Sequence, residues 1–135
     1  MVAPLLAVAA LLAGESRASD AAIALGELSV SSPTPGVDRA ALKNAAESEL
    51  LRIDASKLPR KKRLIVSLAV VRTADSPVEC TVNALLRDGK TGSMVAILEG
   101  RAHAEGGASP ELRGAVLRAA VRVAVRQIPE ALAAK

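Results

Sequence analysis

The most constraining feature of this sequence is a pair of apolar segments joined by a short polar turn. The segments span residues 78–87 and 93–105, and residues 88–92 (DGKTG) lie between them. Asp and Gly readily adopt the backbone angles that tight turns require. The sequence therefore predicts a β-hairpin.

The two segments also predict a register for this hairpin. Pairing residue 86 with 94, and likewise 80 with 100, places small and apolar residues opposite one another on one face. On the other face it places Glu79 opposite Arg101 and Leu85 opposite Val95, which are favourable cross-strand pairs. A slip of one residue would exchange the two faces.

The rest of the chain predicts two more strands and two helices. The predicted elements are a strand at 23–30 with a bulge at Gly26, a helix at 37–53, a strand at 64–73, the hairpin, and a helix from Ser109 to Ile128. Ser109 is a favourable N-cap and is followed by Pro110, a residue common in the first turn. The order β-α-β-β-β-α predicts one α+β domain in which two helices pack on a four-stranded, mainly antiparallel sheet.

The N-terminus predicts export. Residues 2–13 form an apolar run that is too short to cross a bilayer. The small residues Ser16 and Ala18 after this run predict signal-peptidase cleavage after Ala18. We therefore expect a signal peptide at 1–18 and a periplasmic or secreted domain at 19–135 with no transmembrane span. An amphipathic N-terminal helix is the alternative, because no Lys or Arg precedes the apolar run. Glu15 stands where a lipid-modified Cys would be, which argues against an acyl anchor.

The composition excludes several kinds of site. The 135 residues include no Phe, Tyr or Trp, so base stacking, cation–π cages and aromatic sugar stacking are excluded. One Cys cannot form an internal disulfide, and one Cys with one His cannot form a closed zinc site. We expect no metal, no cofactor and no specific nucleic-acid partner.

Residues 85–92 (LLRDGKTG) are followed by a strand and an Ala-rich final helix. This segment resembles the L-x-D-x-x-T-G turn of the periplasmic α/β domains in curli-secretion and penicillin-binding-protein-activator lipoproteins. The resemblance covers residues 37–133 and implies a non-enzymatic module that assembles envelope machinery by protein–protein contact. The lipidated Cys and the aromatic residue usual after the turn are both missing here. The resemblance therefore implies neither a lipid anchor nor recognition through that aromatic.

The final helix predicts a partner surface. It carries two apolar seams, whereas a surface helix needs only one. We expect the outer seam and an adjoining arginine stripe to bind an envelope protein or a second copy of the chain. The predicted partner-binding residues are Leu117, Val121, Ala124, Ile128, Arg118, Arg122 and Arg126. Changing Leu117 and Val121 to Asp should then abolish binding without unfolding the protein. The stripe could equally pair with Glu47 and Glu49.

A basic loop supports a second function. Arg60, Lys61, Lys62 and Arg63 form a positive run, and the chain has a net charge of +4. This run could hold lipid phosphate or lipopolysaccharide, and such binding should weaken with salt. Charge runs in loops are also commonly just solvated.

The sequence offers little support for catalysis. His103 lies among Glu99, Arg101 and Glu105 on one strand face, but alternate strand positions lie about 7 Å apart, which is too far for several to ligate one ion. Cys80 is predicted to be buried and unreactive. We therefore expect no enzymatic activity, with a His103-dependent hydrolase or metal enzyme as the third hypothesis.

A second set of apolar residues has two interpretations. The set comprises Ile65, Ala69, Val71, Leu85, Val95 and Ile97. If both helices cover the same side of the sheet, these six form an exposed patch of the kind that marks interfaces. If one helix covers each side, they are ordinary core. The sequence does not choose between these arrangements.

Overall fold

The computed structural model describes residues 23–58 and 63–133. Its elements are β1 (Ile23–Val30), α1 (Arg39–Leu50), a 3-10 turn (Ala55–Lys57), β2 (Leu64–Asp75), β3 (Val78–Asp88), β4 (Met94–Ala104), α2 (Pro110–Arg126) and the short α3 (Ile128–Ala133). The predicted α+β class and element order are confirmed, with α3 as an addition. The predicted signal peptide lies outside the described residues.

The four strands form one mixed sheet in the order β1-β2-β3-β4. β1 runs parallel to β2, whereas β2, β3 and β4 are successively antiparallel. The register of β1 shifts between Leu25 and Leu28, so the bulge predicted at Gly26 is present. A Cβ on Gly26 would lie only 2.6 Å from Cγ2 of Ile65, which explains why glycine occupies this position.

The hairpin of β3 and β4 forms, but its register differs from the predicted one. Leu86 pairs with Ala96 and Val82 with Gly100, two residues beyond the predicted partners. Asp88 organises the turn: its Oδ1 accepts from the backbone N–H of Lys90 at 2.7 Å, and its own N–H donates to the carbonyl of Ser93 at 2.8 Å. A bulge in β4 beyond this turn adds to the displacement. A shift of two residues preserves the faces, so the predicted faces hold in β3 and from Ala96 onward in β4, although the pairs Glu79–Arg101 and Leu85–Val95 were wrong.

Capping side chains set where both long helices begin. Asp38 accepts from the N–H of Ala41 at 2.8 Å, so α1 begins at Arg39 rather than at residue 37. Ser109 accepts from the N–H of Leu112 at 3.1 Å, which confirms the predicted N-cap of α2. α2 ends at Arg126, two residues before the predicted end at Ile128, and the short α3 begins at Ile128.

Both long helices pack on the same face of the sheet. That face is lined by buried residues that alternate along β2, β3 and β4, among them Val66, Val82 and Leu98. Gly100 permits the close approach of α2, because a Cβ there would overlap the carbonyl oxygen of Ala120. Of the two arrangements that the sequence left open, the structure has both helices on one side.

No helix in the described part of the chain is long and apolar enough to span a membrane.

Candidate functional site: the open face of the sheet

The sheet face opposite the helices, here called the open face, is not covered by any described residue. One part of the open face is apolar. The apolar side chains there are Ile65, Ala69, Val71, Leu85, Met94 and Ile97. Ile97 and Met94 are each 60% exposed and Val71 is 44% exposed. Leu85 lies between Ser67 of β2 and Ile97 of β4, so the patch spans three strands.

Val95 was predicted to belong to this patch, and that prediction was wrong. The bulge in β4 leaves Val95 without a partner in β3. Its side chain packs against the buried core on the helix side instead. Met94, opposite Arg87 in the register, takes its place at the edge of the patch.

The other part of the open face is polar. Along β3 and β4 the rows are Asn83 opposite Glu99, Thr81 opposite Arg101, and Glu79 opposite His103. Arg101 pairs with Glu99 of its own strand, at 3.4 Å between Nη2 and Oε1, rather than with Glu79 as predicted. Arg72 of β2 lies on the other side of Thr81. Acidic and basic side chains therefore alternate between adjacent rows of this face.

The strand around His103 holds no metal constellation. His103 is exposed, and Glu105 lies just beyond the end of β4. In residues 23–58 and 63–133, no three His, Cys, Asp or Glu side chains are placed to bind one ion.

Cys80 is buried in β3, as predicted, opposite Ala102. Burial raises the pKa of its thiol to about 11, because the thiolate would lose its hydration. A protonated, enclosed thiol is a poor nucleophile.

The apolar seam predicted to bind a partner is part of the core. Leu117, Val121, Ala124 and Ile128 have no exposed surface. The prediction that they form an outer seam was wrong, because this side of α2 is the one that packs on β3 and β4. The other apolar seam of α2 comprises Leu112, Val116, Ala119 and Val123. In this seam Val123 is 44% exposed and Val116 is buried.

The arginine stripe of α2 lies beside α1. Nε of Arg122 is 3.3 Å from Oε2 of Glu49, so the pairing with Glu49 that the sequence allowed is present. Arg118 and Arg126 are exposed. Glu47, the other acid considered, lines a separate depression next to β1.

A groove of about 330 Å³, here called the two-helix groove, separates α1 from α2. Its lining residues are Ala41, Asn44, Ala45, Ser48, Glu49, Arg52, Gly114, Arg118 and Arg122. This groove was not predicted from the sequence. Small residues at positions 41, 45 and 48 of α1 recur at helical spacing and could have indicated a gap between helices.

Most of the basic loop lies outside the described residues, namely Arg60, Lys61 and Lys62. Arg63 is exposed at the start of β2. Its carbonyl accepts from the N–H of Gly89 at 2.7 Å, which joins this end of the loop to the hairpin turn.

The sequence matches no known family model and no curated protein. Solved structures do share its fold. A hypothetical protein from Chlamydia trachomatis superposes with a TM-score of 0.63 at 10% identity, over 84% of this chain and 98% of that one. PelC from Paraburkholderia phytofirmans, described as a dodecamer, gives a TM-score of 0.61 at 17% identity, over 82% of this chain and 86% of its own.

A protein from Xanthomonas campestris gives a TM-score of 0.52 at 14% identity, over 83% of this chain and 87% of that one. These superpositions establish a common fold. At sequence identities this low, they do not by themselves assign the function of those proteins to this chain.

Proposed function

We propose that this protein is an exported, non-catalytic binding module that assembles in the bacterial envelope by contact between copies of the chain, through the open face of its sheet. The observation that carries the proposal is that no residue within 23–58 or 63–133 covers the open face of the sheet, which holds an apolar patch. A sheet normally buries its apolar face against another layer.

The patch has the make-up of a contact surface. Met94 and Ile97 are each 60% exposed, and apolar residues from three strands adjoin them. A polar zone that includes Glu99 and Arg101 borders the patch along the same strands. Apolar centres with polar borders are typical of protein interfaces, and contiguous exposed apolar patches are uncommon on monomers.

The charges on the open face favour a second copy as the partner. Glu79 and Glu99 alternate with Arg72 and Arg101 in adjacent rows, so the polar part of the face carries both signs. A surface that contacts its own copy must be complementary to itself, which requires both signs on one face. A strongly basic or acidic partner would instead favour a face of one sign.

Two comparisons support this proposal. PelC, whose fold this chain shares, is described as a dodecamer. The turn at residues 85–92 resembles that of envelope lipoproteins that work by assembly, and the apolar N-terminal run is typical of exported proteins. Binding of anionic surfaces through the basic loop remains the alternative function.

The proposal is tested by asking whether one copy captures another. An immobilised, tagged copy of the full chain should retain an untagged copy at both low and high salt. Ile97→Asp in both copies should abolish capture, because an isolated carboxylate would be buried in the contact. Leu51→Asp is the matched control, since Leu51 is 86% exposed in the turn after α1, away from the open face.

Capture that survives Ile97→Asp, or that Leu51→Asp abolishes equally, would contradict the open face as the contact. Circular dichroism of each variant verifies that the fold is retained.

A further inference from the structure

We propose that the two-helix groove is a binding site for a phosphomonoester group. This site lies on the helix side of the molecule, away from the open face, and does not depend on the proposed self-association. It is also distinct from the basic loop at residues 60–63.

Small residues create the groove. Ala41, Ala45 and Ser48 of α1 face Gly114 of α2 across it, and none of them has a side chain large enough to fill the gap. The resulting volume of about 330 Å³ corresponds to roughly ten water molecules in the liquid. This volume suffices for a phosphate and a small attached group.

A buried carboxylate fixes one arginine in the groove. Glu49 is only 5% exposed, and a carboxylate so buried requires a cationic partner. Arg122 supplies it through Nε at 3.3 Å, and Nη1 of Arg52 lies 3.8 Å from the same oxygen. Arg122 uses one of its five N–H donors in this way, so the remaining donors are available to a ligand.

Of the three arginines that line the groove, Arg118 differs from Arg52 and Arg122 because it is not paired with Glu49. Within residues 23–58 and 63–133 it makes no ion pair and no hydrogen bond, although it lines the groove next to Arg122. An arginine in such a position can offer two parallel N–H groups to phosphate oxygens. Asn44 and Ser48 add neutral donors on the α1 side.

The charge of the groove matches a phosphomonoester. The lining holds three arginines and one glutamate, which leaves a net charge of +2. A phosphomonoester carries about −1.5 to −2 at neutral pH, whereas a carboxylate carries only −1. The phosphate could belong to a small soluble molecule or to the headgroup of a phosphorylated lipid.

Titration calorimetry of the full chain with glycerol 3-phosphate, and flotation with phosphatidylcholine vesicles containing phosphatidic acid, distinguish these two sources. We expect saturable binding to at least one probe. Arg118→Gln should weaken it about tenfold or more, because a charge-assisted hydrogen-bond pair is lost. Ser48→Leu should weaken it comparably by filling the groove without changing its charge.

Arg39→Gln is the matched control. Arg39 is an exposed arginine of α1 that lines a different depression, so its removal changes the net charge equally and should leave binding within about twofold. Binding to vesicles alone identifies a lipid as the source of the phosphate, and binding to glycerol 3-phosphate identifies a soluble ligand.

Two results would overturn the proposal. One is the absence of saturable binding to either probe. The other is an equal loss in Arg39→Gln and Arg118→Gln, which would indicate diffuse attraction to a basic protein. Thermal melting of each variant excludes loss of fold as the cause.

Discussion

Gly100 of β4 lies directly against the backbone of α2. A Cβ on it would lie 2.6 Å from the backbone N of Ala124 and would overlap the carbonyl oxygen of Ala120. These are backbone atoms, which cannot rotate away as a side chain can. Because glycine has only a hydrogen as its side chain, α2 can pack directly against β4 at this position.

Gly100→Ala should destabilise the fold. The added methyl group forces α2 away from β4, and overpacking of this kind costs about 1–3 kcal/mol. Urea denaturation followed by circular dichroism measures the loss. Gly107→Ala is the control, because no atom lies within 4 Å of the Cβ it would gain. Equal stability of the two variants would show that α2 does not sit as described.

Cys80 should make stability depend on pH in the alkaline range. Burial raises the pKa of the folded thiol to about 11 from the ordinary value of 9.0, so above pH 9 the unfolded chain loses a proton that the folded chain retains. The free energy of unfolding should therefore fall as the pH rises from 9 to 11. Comparing urea denaturation at pH 8.5 and pH 10.5 measures the fall.

Cys80→Ala lacks the thiol and should show a smaller fall over the same interval. The native thiol should also react slowly with a disulfide reagent at pH 8, and rapidly once urea unfolds the chain. Rapid reaction in the absence of urea would contradict its burial.

Among the elements, the hairpin was the most predictable from sequence. Its faces follow from the alternation of side chains along a strand, which survives any even shift of register. The register itself was not predictable, because the Asp88 turn and the bulge at Val95 move it by two residues while the faces beyond the bulge stay the same. The caps Ser109 and Asp38 both act through a local hydrogen bond, although the sequence analysis identified only Ser109.

In α2, sequence periodicity is not sufficient to predict which side of the helix packs on the sheet. Both apolar seams had the spacing of a core face, and nothing local indicated which one packs on the sheet. The structure places Leu117 and Val121 inside. The two-helix groove escaped prediction for a related reason, because it depends on how α1 and α2 are positioned relative to each other.

Leu117→Ala should therefore destabilise the protein rather than weaken partner binding. Leu117 has no exposed surface, and such truncations cost about 2–5 kcal/mol. Val123→Ala is the control on the same helix, since Val123 is 44% exposed and its truncation should cost about 0.5 kcal/mol or less. Urea denaturation compares the two, and similar losses would contradict the orientation of α2.

At the scale of the whole molecule, the central feature is a sheet that the described part of the chain covers on one side only. Both faces of β2 carry apolar residues, so the strand pattern alone allowed a helix on either side. The parallel crossover from β1 through α1 to β2, and the return of α2 over Gly100, place both helices together. The uncovered face is what the proposed assembly uses.

The mass of the full chain in solution tests this account most directly. Light scattering coupled to size exclusion should give a wild-type mass that is a multiple of the 13.8 kDa chain. Ile97→Asp should elute at the mass of one chain, whereas Leu51→Asp should keep the wild-type mass. A wild-type protein that stays at the mass of one chain across the accessible concentrations, or an Ile97→Asp variant that retains the wild-type mass, would contradict assembly through the open face.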